Sequence, residues 1–132
     1  SGGTFALSLA DTALVGETAG DNSGEAVSSA GDVDGDGLDD VLIGAKINGD
    51  GGYWTGKTYL VLGSTVAPGG TFALSLADAA FVGENAGDQS GRSVSSAGDV
   101  DGDGLDDVLI GAYANDDGGY AVGKTYLLLS PY

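Results

Sequence analysis

The chain has 132 residues, of which 20 are acidic and 4 are basic, so its formal net charge at pH 7 is −16. Phosphate binding needs a basic surface, so this balance argues against nucleic acid as a partner, and the same sign disfavours an anionic membrane surface. Cysteine and histidine are absent, which excludes disulfides, thiolate nucleophiles and the usual general base. No apolar run approaches the roughly 18 residues that a membrane-spanning helix requires.

One sequence unit occurs twice in the chain. Thr4–Asp11 and Thr71–Asp78 are identical, and the offset of about 67 residues continues without a gap to the C-terminus. Most positions agree between the two copies. We therefore predict two repeats, at residues 1–67 and 68–132.

Four short segments of each repeat are predicted to be strands. Phe5–Leu9 alternates large apolar and small side chains, which indicates one buried face. Ala26–Ala30 consists almost wholly of small residues and suits a crowded position where neighbouring sheets converge. Val41–Ile43 is an unbroken aliphatic run, typical of a central strand covered on both faces, and Lys57–Leu62 completes the unit. No segment has a helical period, so the fold class is predicted to be all-β.

A carboxylate-rich loop lies between the second and third predicted strands. It spans Asp32–Asp40 and recurs letter for letter as Asp99–Asp107. Aspartates at loop positions 1, 3, 5 and 9, with glycines among them, direct several hard oxygen ligands at one centre. Calcium accepts six to eight such oxygens at flexible angles. Without a cation the carboxylates would repel one another, so each loop is predicted to bind one calcium ion.

Two other cation sites fit the loop less well. The bidentate glutamate of an EF-hand would fall at loop position 12, which is occupied by Ile43 and Ile110. The residues after the loop also have the pattern of a strand rather than a helix, which disfavours an EF-hand or dockerin site. Magnesium requires tighter octahedral geometry with several waters.

Catalysis is not expected of this chain. Without histidine there is no usual serine triad, and Lys57 and Lys124 lie in predicted strands with no cue for a lowered pKa. Paired carboxylates can cleave glycosides, but here they are committed to the loops. We therefore predict that the protein is not an enzyme.

The unit resembles the FG-GAP repeat, which forms the blades of integrin α-subunit β-propellers and of many bacterial extracellular proteins. The resemblance is carried by Phe81–Gly91, Val94–Gly104 and Asp107–Ala112, and by the same pieces of the first copy. The family's Phe-Gly pair is replaced by Ser23-Gly24 and Ser90-Gly91. The calcium motif itself is intact.

The resemblance implies a β-propeller fold, with two four-stranded antiparallel blade units per chain, and a set of calcium ligands. It also implies that Asp39 and Asp106, which fall between ligand positions, face solvent. The implied ligands are the side chains of Asp32, Asp34, Asp36 and Asp40 with the Leu38 carbonyl, and those of Asp99, Asp101, Asp103 and Asp107 with the Leu105 carbonyl.

The family's strand order further implies that each repeat begins with the outer strand of one blade and continues with three inner strands of the next. Phe5–Leu9 would then be an outer strand whose own blade lies elsewhere, and Lys124–Leu129 would lack an outer partner. A closed propeller needs about four to eight blades. We expect copies of the chain to close a ring as a homo-oligomer, with three chains giving six blades or four chains giving eight.

Two roles remain open from the sequence. One is a structural, self-assembling repeat unit, and the other is an adhesion module that binds a protein or glycan. The second role would use the loops Lys46–Thr55 and Tyr113–Val122, whose aromatic residues either contact a ligand or pack on a neighbouring blade. An extracellular or cell-surface location is implied by the family, while the chain begins at Ser1 without a signal peptide, as expected of an excised or processed segment.

Overall fold

The computed structural model describes residues 2–132 and confirms an all-β fold. The helical pieces in this range are α1 (Gly63–Val66) and 3-10 turns at Leu7–Leu9 and Leu74–Leu76, and none is long or apolar enough to cross a membrane. The strands are β1 (Thr12–Val15), β2 (Ala26–Gly31), β3 (Asp40–Ala45), β4 (Lys57–Val61), β5 (Gly70–Ala73), β6 (Ala79–Val82), β7 (Ser93–Gly98), β8 (Asp107–Ala112) and β9 (Lys124–Leu128).

The strands form two antiparallel blades and one small parallel pair. Blade 1 has the order β2-β3-β4-β6, so its outer strand comes from the second repeat. Blade 2 has the order β7-β8-β9 and has no outer strand among the described residues. β1 pairs with β5 in parallel, with Leu14 opposite Phe72. Each repeat therefore contributes the three inner strands of one blade, and the second repeat also completes blade 1.

The prediction of a strand at Phe5–Leu9 is wrong. Leu7–Leu9 forms a 3-10 turn, and the strand of this region is β1, a few residues further along. Phe5, Leu7 and Leu9 are all exposed, so the alternating pattern has no apolar surface to cover and gains nothing from being extended. In the second repeat the same sequence is partly extended as β5, where it does have a neighbouring strand. Strand formation here depends on the available partner.

Two apolar clusters stabilise the blades. The first joins blade 1 to blade 2, with Leu42 and Leu60 from one blade and Val108 from the other. The second covers the opposite face of blade 1, where Tyr59 packs with Leu74. β3 and β4 are buried on both faces over most of their length, as the sequence predicts for the aliphatic strand. The small residues of β2 allow the inner strands β2 and β7 to lie against each other.

Candidate metal centre

The loop Asp32–Asp40 links the antiparallel neighbours β2 and β3 and is shaped by its own first carboxylate. Asp32 Oδ1 accepts a hydrogen bond from Gly35 N at 2.7 Å, and Asp32 Oδ2 accepts one from Gly37 N at 2.9 Å. Gly35 and Gly37 have φ angles of 80° and 84°, which a residue without Cβ adopts without steric cost. The glycines thus let the backbone curl around the carboxylates.

The second loop repeats this geometry. Asp99 Oδ1 accepts from Gly102 N at 2.7 Å, and Asp99 Oδ2 accepts from Gly104 N at 2.8 Å. Asp103 Oδ1 then accepts from Leu105 N at 2.9 Å. Two copies with different surroundings reach the same arrangement, so the loop shape is a local property of its nine residues.

The aspartate at the ninth position of the first loop holds three parts of blade 1 together. Asp40 is buried, and its two oxygens accept from Val33 N and Gly63 N, each at 2.8 Å. A buried carboxylate needs such partners because its desolvation is otherwise costly. Asp107 of the second loop accepts in the same way from Val100 N and Ser130 N, each at 2.8 Å. This residue therefore fixes the loop to the strand that follows it and to the end of the blade.

Three carboxylates of each loop come close enough together to share one ion. In the first loop, ligand atoms of Asp32, Asp34 and Asp36 lie within 4.8 Å of one another. Oxygens on opposite sides of a calcium ion, each about 2.4 Å from it, are separated by about that distance. Asp40 is not part of this close group. The Leu38 carbonyl stays a predicted ligand.

In the second loop the close group consists of Asp99, Asp101 and Asp107, again with ligand atoms within 4.8 Å of one another. Asp103 is outside it, and the Leu105 carbonyl stays a predicted ligand. Each loop thus brings three of its four predicted carboxylates together, at positions 1, 3 and 5 in the first loop and at positions 1, 3 and 9 in the second. The donor set is made of hard oxygens alone, which fits calcium.

Backbone hydrogen bonds, desolvation and neighbouring charges shift the carboxyl pKa values of the close groups in opposite directions. The hydrogen bond from Gly37 N is the main cause that lowers the pKa of Asp32. For Asp34, the hydrogen bond from Asp36 N lowers the pKa, but desolvation and the negative charges of Asp36 and Asp40 outweigh it and raise the value. Desolvation raises the pKa of Asp101. A divalent cation would relieve this repulsion in both loops.

The prediction that Asp106 faces solvent is wrong. Asp32 N donates to Asp106 Oδ2 at 2.9 Å, and Asp106 N donates to the Asp32 carbonyl at 2.9 Å. The eighth residue of the second loop thereby binds the first residue of the first loop, because blade 2 packs beside blade 1. Asp39, at the equivalent position of the first loop, is exposed as predicted.

Sequence reasoning missed a buried amide-carboxylate pair that occurs in both repeats. Asn48 Nδ2 donates to Asp21 Oδ2 at 2.6 Å, and Asn115 Nδ2 donates to Asp88 Oδ2 at 2.7 Å. All four residues are buried. Their signal in the sequence was the identity of both residues between the two repeats.

The aromatic loops place their rings mainly toward solvent. The rings of Tyr53 and Trp54 stack on each other, with 4.9 Å between centroids. Tyr53 and Tyr120 are both exposed, whereas the ring of Tyr113 lies 4.1 Å from the Arg92 guanidinium carbon. Within residues 2–132, neither Tyr53 nor Tyr120 is buried against a blade.

Comparison with known proteins identifies the two loops as parts of one recurring family unit. A family model described as FG-GAP repeat matches the chain twice, over residues 23–61 and 90–128. No curated protein matches the chain. Each matched range contains the three inner strands of one blade together with its aspartate loop. Since the two ranges cover more than half of the sequence, the chain belongs to the FG-GAP repeat family of integrin-like propeller repeats.

Proposed function

We propose that the protein is a calcium-binding propeller repeat unit in which each aspartate loop holds one ion. The observation that carries this proposal is the approach of three carboxylates to within 4.8 Å of one another in both loops. Aspartate oxygens held by backbone hydrogen bonds present a preformed set of hard ligands to the ion. The role of the ion is structural, because the loop joins two neighbouring strands of a blade.

Calcium binding would stabilise the folded chain, because the unfolded chain does not hold the carboxylates together. At a free concentration of one hundred times the dissociation constant, each independent site adds about 2.7 kcal/mol to the free energy of unfolding. Two such sites correspond to a rise in melting temperature of roughly 20 °C for a chain of this size.

The test compares calcium binding and thermal unfolding in a matched set of variants. The combined substitution Asp34→Asn and Asp101→Asn should weaken calcium binding, as measured by titration calorimetry, and should reduce the effect of EDTA on the melting temperature. Asp39→Asn removes one charge from the same loop outside the predicted ligand positions and serves as the control. A melting temperature that EDTA leaves unchanged in the unmodified chain would contradict the proposal.

The proposed role is structural and includes self-assembly, in which copies close a ring of six or eight blades. Its support is that blade 2 lacks an outer strand within the described residues while β1 belongs to neither blade. An unpaired strand edge is a template for association with another chain. We place the protein outside the cell or at its surface, where modules of weak calcium affinity are used.

The proposal assigns no catalytic step to the chain. Burial alone would lower the pKa of Lys57, but hydrogen bonds to Asp50 and Glu17 outweigh it and raise the value. Such a lysine is held protonated, which disfavours a role as nucleophile.

A second candidate function is adhesion to a protein or glycan through the aromatic loops. It is favoured by the stacked and solvent-facing pair Tyr53 and Trp54, since exposed aromatic rings supply apolar contact area for a sugar face or a protein surface. A glycan and matrix-protein binding screen with and without Tyr53→Ala would test it, and equal binding by both proteins would exclude this loop.

A further inference from the structure

One surface of blade 1 is covered by a segment from the following repeat. Leu74 is only 1% exposed and packs in a cluster with Tyr59 and Val61 of β4. Phe72 of β5 is packed against the same cluster, and β5 is held in place by its parallel pairing with β1. The segment 70–76 thus fills the space between β1 and the face of blade 1.

The equivalent space in blade 2 is open. It forms a groove of about 590 Å³ between β6 and the face of blade 2, lined by Phe81, Val82, Ile110, Tyr126 and Leu128 among others. Four of them, Phe81, Ile110, Tyr126 and Leu128, are the repeat counterparts of Leu14, Ile43, Tyr59 and Val61, which belong to the cluster around Leu74 in blade 1. We call this space the outer groove.

The chain itself carries the counterpart of the segment that fills the groove in blade 1. Residues 3–9, here called the N-terminal arm, repeat the sequence of residues 70–76 in all seven positions. Leu7 is the counterpart of Leu74, yet it is 91% exposed. An apolar side chain of this size gains about 2 kcal/mol of transfer free energy when it is buried. The arm and the outer groove are therefore two complementary apolar surfaces that do not contact each other within the single chain.

We propose that the outer groove of one copy binds the N-terminal arm of a second copy, with Leu7 as the anchoring side chain. The arm lies parallel to β6 in the register that β5 has with β1, so Phe5 comes opposite Phe81 and Ala6 opposite Val82. This inference rests on the proposed self-assembly, and it assigns the residues that make the contact between copies.

Hydrogen-bonding groups beside the groove support a second copy as the occupant. Between the two repeats, the backbone N–H groups of Gly87, Gln89 and Ser90 donate to the carbonyls of Tyr53, Trp54 and Thr55 at 2.8–3.0 Å. The first repeat contains three N–H groups at the positions of these donors, and the second repeat contains three carbonyls at the positions of these acceptors. None of these six groups is hydrogen-bonded within residues 2–132. These groups are the N–H of Gly20, Asn22 and Ser23, and the carbonyls of Tyr120, Ala121 and Val122.

The aspartate loops point to the same neighbour. Asp32 N donates to Asp106 Oδ2 within the chain, and the counterpart pair is Asp99 N with the exposed Asp39 of another copy. A second copy placed beside blade 2, as blade 2 lies beside blade 1, brings the arm, the three backbone pairs and this aspartate contact together. A single placement of the second copy therefore supplies partners for the arm, for the backbone groups and for the aspartate.

The experiment measures self-association by sedimentation over a range of concentrations in calcium. Leu7→Ser should weaken association by about 30-fold, because a buried leucine is lost from each contact. Leu9→Ser is the matched control, since the counterpart Leu76 is still 70% exposed where the groove is filled. Because Leu7 and Leu9 are both exposed in the single chain, neither substitution should disturb its folding.

A cross-linking experiment tests the register and uses the fact that the chain has no native cysteine. When Ala6→Cys and Val82→Cys chains are mixed under oxidising conditions, we expect a disulfide-linked heterodimer. Val15→Cys replaces Val82→Cys in the control, because β1 already has β5 beside it.

The outcomes separate this inference from the function on which it rests. Association that Leu7→Ser leaves at the level of the unmodified chain would overturn the role of the arm and leave self-assembly standing. A chain that stays monomeric at all concentrations would overturn both. Selective loss with Leu7→Ser, together with the Ala6–Val82 cross-link, would support the inference.

Discussion

Removal of the Asp106 side chain tests how strongly the second aspartate loop is coupled to the first. In Asp106→Ala the hydrogen bond from Asp32 N, 2.9 Å long, is lost. A hydrogen bond to a charged group contributes about 1.5–3 kcal/mol, and the lower end applies because Asp106 is only partly buried. We expect the free energy of unfolding to fall by about 1.5 kcal/mol, which shifts the urea midpoint by roughly 1 M.

The control for this measurement is built into the repeat. Asp39→Ala removes the same charge from the same position of the first loop, but the Asp39 side chain is exposed and accepts no hydrogen bond within residues 2–132. Unfolding is followed by circular dichroism in saturating calcium, at concentrations low enough to keep the chains apart. Equal urea midpoints for the two variants would refute the idea that this contact couples the blades.

Two further predictions concern a glycine and a carboxylate. Gly31 and Gly98 have φ angles of 70° and 69°, so alanine at either costs about 1 kcal/mol. At Gly31, however, a Cβ would clash with the Asp106 side chain, whereas at Gly98 it meets nothing within 4 Å. Thermal melts of the two variants should therefore differ by several degrees, and similar melts would contradict this. The hydrogen bond from Lys57 lowers the pKa of Glu17. The ionised Glu17 therefore stabilises the fold fully at a pH above the ordinary glutamate pKa, and this stabilisation is lost as the pH falls through the lowered pKa of the folded state. In EDTA, Glu17→Gln should lose less stability than the unmodified chain over this acid range, and parallel pH profiles would exclude the effect.

The inner part of each blade was predictable because its causes are local. Glycines and aspartates at fixed spacing determine the loop through hydrogen bonds within nine residues, and the aliphatic run after the loop can only be a buried strand. Both copies of this segment adopt the same structure, which is how a local cause should behave. The approach of the first two predicted carboxylates, which belong to the close group in both loops, follows from the same local geometry.

The outer part was less predictable because its conformation depends on a neighbour. The sequence around Phe5 and that around Phe72 are identical, yet only the second is paired with a strand. Asp39 and Asp106 likewise share one local sequence and differ in their contacts. No property of the individual segment distinguishes these pairs, so periodicity alone could not locate the outer strands.

Because β6 of the second repeat completes blade 1, the boundaries of the sequence repeats do not coincide with the boundaries of the blades. Loss of the second repeat would also remove the outer strand of the first blade, so the two blades are mechanically linked. Stability in such an array depends on the interfaces as well as on each unit. We expect unfolding to spread along the chain once one blade opens, so that an array of these repeats would respond to force as a cooperative whole.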